Sequence, residues 1–139
     1  MRGTVASGVG QGAHFMSLPW VGRAVHRSLG FDPYPGTLNL RLTDPEMLVR
    51  WRDVSKESAL VLTPSPPETC GGRLIPITLP RDIPAAVIVP DVTRYGDDVL
   101  EVIAAVHLRS CLGLEDGDAL EFVLTEPPGP RGAAATGGR

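Results

Sequence analysis

Cysteine is nearly absent from this chain: Cys70 and Cys111 are the only two. Their separation matches no metal-ligand spacing, so the expectation is a cytoplasmic protein carrying two reduced thiols. Aromatic residues make up only 5% of the sequence, and its two tryptophans do not form a stacking platform for bases. Positive charge is not in excess either. The net charge is −3, and the 13 Lys and Arg residues are scattered rather than gathered into the stripe that nucleic-acid binding needs. No apolar run approaches the roughly 18 residues of a membrane span. The first residues also lack the charged, apolar and small-residue succession of a secretion signal. Neither a nucleic acid nor a membrane is therefore expected as a partner. His14 and His26 stand in no pattern that would hold a metal.

Glycine and proline are plentiful, with 16 and 14 residues. They imply many turns and short elements rather than a helical bundle. Hydrophobic residues reach 42%, enough for one domain over residues 1–125 to bury a core. Residues 126–139, "EPPGPRGAAATGGR", offer almost nothing to bury and are expected to be a disordered tail.

Residues 1–7 alternate weakly and read as a first strand. A helix is expected next, capped by Ser17 with Pro19 in its first turn. In it Trp20, Val21, Ala24, Val25 and Leu29 recur at helical spacing, and Gly30 ends it. In "FDPYPGTLNLRL" Pro33 and Pro35 enforce an extended approach, and Gly36 turns the chain into a strand over residues 37–42. Leu38, Leu40 and Leu42 share one face of it; Thr37, Asn39 and Arg41 share the other. A capping box from Thr43 to Glu46 predicts a short helix through Trp51. Proline-cut pieces follow, and Pro76 suggests an edge or a bulge. Residues 99–108 read as a long strand with a helical turn at 109–112, and Asp116-Gly117 as a tight turn into a last strand over 119–124. Many short strands without βαβ alternation suggest a mainly β, mostly antiparallel barrel with short appended helices.

Three stretches could hold chemistry. In "TVASGVGQGAHF" the glycines Gly8, Gly10 and Gly12 alternate, which lets backbone N–H groups converge on phosphate oxygens. The spacing is neither the Walker loop nor the dinucleotide fingerprint, and a flexible turn fits it equally well. In "PGTLN", Thr37 and Asn39 put an oxygen each on one side of a strand. Mg²⁺ accepts such oxygens while keeping several waters; local backbone hydrogen bonds are the plainer use. In "VLEVIAAVHLR", Glu101 sits in an apolar strand, where a carboxylate needs a partner. Simple alternation would instead leave Glu101 facing solvent, and His107 and Arg109 on an exposed face.

Taken in order, "SGVGQGAHF", "LGF", "PYPGTLNLRL", "PDVT", "LEVIAAVHLR" and "LEDGDALEF" together closely resemble the CTP-dependent riboflavin kinases. The resemblance runs from about Met1 to Leu124. It implies a six-stranded cradle-loop (RIFT-type) barrel that moves the γ-phosphate of CTP to the 5′-hydroxyl of riboflavin, giving FMN and CDP. By the same resemblance Gly8, Val9, Gly10, Gln11, Gly12 and Ala13 would hold the nucleotide, together with Val106, His107, Leu108 and Arg109. Thr37 and Asn39 would ligate Mg²⁺, Thr93 and Glu101 would contact the flavin, and Glu101 would be the catalytic residue that orients and deprotonates the hydroxyl. A monomer is expected. The sequence departs from the family at Arg94 to Gly96, where His-Pro is usual, and in the shortened, proline-rich region around Cys70 to Gly72. Both departures fall on the flavin side. A same-fold kinase with another acceptor or donor, a non-catalytic nucleotide- or flavin-binding module, and a DNA-binding barrel are the competing readings; acidity counts against the last.

Overall fold

The computed structural model describes residues 1–7, 11–64, 66–91 and 98–125, with the backbone alone at 11–13. The elements in chain order are β1 (Arg2–Ala6), α1 (Gln11–Met16), α2 (Pro19–Leu29), β2 (Leu38–Arg41), α3 (Pro45–Ser58), β3 (Leu60–Leu62), β4 (Gly72–Leu79), β5 (Ile83–Pro90), β6 (Val99–Ala104), α4 (Leu108–Leu112), β7 (Ala119–Glu121) and β8 (Val123–Leu124). All the ladders are antiparallel. The pairing path is β3-β4-β5-β6-β2-β1-β7, and β8 leaves it to pair β4. The fold is thus mainly antiparallel β with a few short helices. The path of seven strands is not closed between its two ends and the sheet counts eight strands with β8, so the expected six-stranded closed barrel is not what the ladders by themselves form.

The two faces of the sheet bury different sets of side chains. One set gathers Val5, Leu38, Leu40, Leu42, Leu100 and Val102 with Trp51 and Phe122, whose rings meet edge to face at 6.0 Å. The other places Leu74, Ala86, Ile88 and Ile103 against Phe15, Trp20, Val21 and Val25. This second layer explains α2. Its apolar residues follow the helical period, and each fully buried side chain contributes about 1.5–3 kcal/mol. Gly30, at φ 81°, ends the helix by donating its N–H to the His26 carbonyl over 2.9 Å.

Several local expectations need correction. Ser17 does not cap α2. Its hydroxyl donates back to the His14 carbonyl at 2.5 Å and so closes α1, while Leu18 occupies the cap position of α2. The helix expected to stop at Trp51 continues to Ser58, because nothing between them breaks it. Its cap is Asp44, which accepts the Glu46 N–H over 3.0 Å, not Thr43. Pro76 marks neither an edge nor a bulge. It lies in an unbroken eight-residue register with β5, and its carbonyl accepts the Thr125 N–H on the other side, so its missing N–H faces away from β5. The last strand is interrupted at Phe122, and the long strand stops at Ala104. The 126–139 tail lies outside the described residues.

Candidate functional site

The site begins with one row of side chains crossing the sheet. Ala6 pairs with Asn39, Asn39 with Glu101, Glu101 with Ile88, and Ile88 with Leu74. Directly paired residues project to the same face, so an apolar row under α2 ends in Glu101 and Asn39. Both are buried, at 4% and 8% exposure. Solvent-facing alternation for Glu101 is therefore wrong: β6 is covered on both faces, and Leu100, Glu101 and Val102 are all buried.

A carboxylate in that position needs partners. Thr37, half-buried and two residues before Asn39, donates its hydroxyl to Glu101 Oε1 over 2.9 Å. Asn39 Oδ1 is buried and has no hydrogen-bond partner among the described residues. An amide oxygen buried without a partner costs about 1–3 kcal/mol, a cost that a bound cation would relieve. Mg²⁺ fits this donor set, since it takes few protein oxygens and keeps waters. Among the described residues no cluster of three or more His, Cys, Asp or Glu offers an alternative metal site.

The neighbouring walls come from the extended 32–36 segment and from residues 105–109. Gly36 takes φ 96°, a conformation that favours glycine, immediately before Thr37. Tyr34 is pinned to the end of β6 by its N–H to the Ala104 carbonyl at 2.7 Å. Its ring lies 5.1 Å from that of His107, whose Nδ1 is 2.6 Å from Ser110 Oγ. A cavity of about 280 Å³ is bounded by Thr37, Val102, Val106, His107 and Arg109. A wider one of about 730 Å³ opens beside it between α2 and the 32–36 segment, and the two share Tyr34, Pro35 and Gly36. Together they are of the size that small-molecule sites occupy.

Val106 and His107 are exposed, Arg109 is half-buried, and Leu108 points into the core as the first residue of α4. Gly8, Val9 and Gly10 lie outside the described residues, as does Thr93. Gln11, Gly12 and Ala13 form the first half of α1. The flanks of the glycine run are defined, however. Ser7 follows Ala6, the partner of Asn39. After the run, Phe15 fastens α1 to the sheet, and a Cβ on Gly72 would come within 3.1 Å of its ring and 2.8 Å of the Val89 carbonyl. Gly71 and Gly72 thus serve close packing rather than a turn.

Asp116 was legible only as a turn residue, yet its carboxylate accepts from Ser7 Oγ and from Arg109 Nη2, each at 2.7 Å. These bonds, that from Ser7 first, hold the Asp116 carboxyl below the ordinary aspartate range. Among the described residues no helix is long and apolar enough to cross a membrane.

Comparison with known proteins gives the family. The family model CTP-dep_RFKase, described as "Domain of unknown function DUF120", matches residues 5–124. A riboflavin kinase of Methanocella arvoryzae is 40% identical over 127 residues, covering 89% of this chain and 56% of that protein. One from Pyrobaculum islandicum is 41% identical over 126 residues, covering 89% and 59%. The chain thus spans little more than half the length of these relatives. A riboflavin kinase of Aeropyrum pernix, 36% identical over 128 residues, is covered to 96% of its length and covers 91% of this chain. On these matches the chain belongs to the CTP-dependent riboflavin kinase family.

Proposed function

We propose that this chain phosphorylates riboflavin with CTP. The riboflavin 5′-oxygen forms a bond to the γ-phosphorus, the bond from that phosphorus to the β,γ-bridging oxygen breaks, and FMN and CDP leave. The proton of the hydroxyl passes to Glu101. The observation that carries this reading is one cluster: buried Glu101, bonded to half-buried Thr37, stands opposite a buried Asn39 whose Oδ1 meets no partner among the described residues. Transfer of a phosphoryl group demands positioning and charge compensation more than covalent chemistry. Thr37 and Asn39 would hold Mg²⁺, which when bound compensates charge on the phosphates. Arg109 adds a second positive group, and Gly8 to Ala13 with Val106 to Arg109 would enclose the nucleotide. Thr93 and Glu101 would face the flavin.

The same reading takes the sheet as a six-stranded cradle-loop barrel. Only Phe122 separates β7, paired with β1, from β8, paired with β4, so residues 119–124 act as one bent strand joining both. With β1, β2, β4, β5 and β6 that makes six.

The test is incubation with riboflavin, Mg²⁺ and each nucleoside triphosphate in turn, with FMN separated by chromatography. FMN formed with CTP alone is the expected outcome. FMN from another triphosphate would reassign the donor, and flavin binding without turnover would make the chain a binding module. Arg94 to Gly96 replace the family's usual His-Pro, so phosphorylation of a different acceptor is the reading to fall back on if riboflavin is inert.

A further inference from the structure

We propose that Asp116 is a positioning residue for the nucleotide end of this site, clasping Arg109 to Ser7 so that Ser7, the residue before the glycine run, and the Arg109 guanidinium are held in fixed places. The identity of the ligand rests on the kinase reading above; the clasp itself does not.

An exposed Arg–Asp pair on its own contributes little. This pair differs because the main chain sets the carboxylate in place beforehand. The 115–118 turn is strapped to β1 by Gly117 N–H to the Val5 carbonyl and Val5 N–H to the Asp118 carbonyl, both 2.8 Å. It is closed internally by Asp118 N–H to the Glu115 carbonyl at 3.0 Å and Glu115 N–H to Asp118 Oδ2 at 2.8 Å. Gly117, at φ 95°, permits that shape. On the other side Gly113, at φ 64°, ends α4, and Leu114 donates its N–H to the Arg109 carbonyl over 2.9 Å. Asp116 and Arg109 are therefore both mounted on short, bonded segments.

Its two oxygens divide the work. Oδ2 accepts from Ser7, the residue before Gly8, and Oδ1 accepts from Arg109 Nη2. A guanidinium presents five N–H donors in a fixed fork, so anchoring it through Nη2 orients the remaining donors instead of consuming them. Ser7 in turn follows Ala6, the ladder partner of Asn39. One carboxylate thus ties the cation of α4, the root of the glycine run and the Thr37–Asn39 oxygens into one frame. A polyphosphate spanning them meets a preset spacing, which lowers the ordering cost of binding.

The experiment measures CDP binding in the presence of Mg²⁺ by calorimetry for wild type, D116A, D116N, D116E, R109A and D116A/R109A, with steady-state kinetics alongside. D116A and D116N are expected to raise the Kd for CDP and the KM for CTP roughly fivefold, the scale of one exposed ion pair. The KM for riboflavin and the melting temperature should stay near wild type, and D116E should recover most of the loss. D116A/R109A should bind more weakly than R109A by less than the full D116A loss, because the Arg109 bond is removed only once and the Ser7 bond alone is lost in addition. Wild-type affinity in D116A, multiplying losses in the double variant, or an equal rise in the riboflavin KM would overturn the proposal. The Arg109 Nε–H signal in the ligand-free protein decides the clasp without any nucleotide: it should be sharp in wild type and averaged in D116A, and no change would overturn it. If wild type took up no CDP, the kinase reading would fall, while the Nε–H signal would still decide whether the clasp exists.

Discussion

Asn39 stands directly opposite Glu101 across the β2–β6 ladder, and the two are the polar end of a row that continues into Ile88 and Leu74. Burying a carboxylate and an amide together in an apolar layer works against stability unless each is satisfied. Thr37 satisfies Glu101 in part, and Asn39 Oδ1 meets no partner among the described residues. Such local cost is characteristic of sites whose groups are held ready for a ligand.

Replacing Glu101 by Gln keeps the shape of the side chain and removes its capacity to take a proton. We expect kcat for FMN formation to fall by about 100-fold or more, the usual scale of general-base removal, with smaller changes in KM. Steady-state assays at saturating riboflavin and CTP measure this. Turnover equal to wild type would exclude Glu101 as the base.

Thr37→Ala and Asn39→Ala should lower activity chiefly by weakening Mg²⁺ binding, so raised Mg²⁺ should restore part of the loss in both. Unaltered Mg²⁺ dependence would contradict the assignment. Asn39→Leu removes the orphaned oxygen at similar volume. It should therefore be at least as stable as wild type in a ligand-free melt while losing activity, because an unpaired buried acceptor is replaced by packing. A clear drop in melting temperature would show that Oδ1 is satisfied in solution.

What the sequence reveals and what it hides divides along physical lines. Helix α2 was legible because Trp20, Val21, Ala24 and Val25 follow a period that only one face of a helix can satisfy, and Gly30 is where the left-handed cap falls. The polar face of β2 was legible as well, since Leu38, Leu40 and Leu42 point the other way into the core. Glu101 was ambiguous for a definite reason. Alternation locates the inner face of a strand, but it cannot say that α2 covers the outer one. Ser17 and Thr43 are each a reasonable cap by residue type, but the Ser17 hydroxyl turns back to His14 and leaves α2 without a side-chain cap, and the α3 cap falls on the neighbouring Asp44. The Asp116 clasp reaches Ser7, more than a hundred positions away, and no local pattern carries such a contact.

The packing of α1 gives a stability test away from the chemistry. Gly72→Ala puts a methyl 2.8 Å from the Val89 carbonyl and 3.1 Å from the Phe15 ring. Overpacking of this kind should destabilise the protein by about 1–3 kcal/mol, read from denaturant unfolding. A neutral result would show that Phe15 is not held against Gly72.

Asp116 supplies a prediction in pH. Its carboxyl titrates below the ordinary aspartate range because the folded state stabilises the ionised form through Ser7 and Arg109. The sign follows: the contribution is complete above the unfolded-state pKa and disappears as pH falls through the lowered folded value. A carboxyl carbon titration by NMR should show the depressed midpoint, and Ser7→Ala or Arg109→Ala should each move it back upward. A midpoint already at the ordinary value in wild type would contradict these contacts.

The most direct test of the whole account is where a divalent ion settles beside bound nucleotide. Mn²⁺ accepts the same oxygen ligands as Mg²⁺ and broadens nearby NMR signals. Titrated in trace amounts into protein saturated with CDP, it should broaden the amide signals of Thr37, Asn39 and Glu101 first and leave those of Arg81 and Val123 sharp. Broadening centred elsewhere, with Thr37 and Asn39 untouched, would contradict the assignment of this face as the place of phosphoryl transfer.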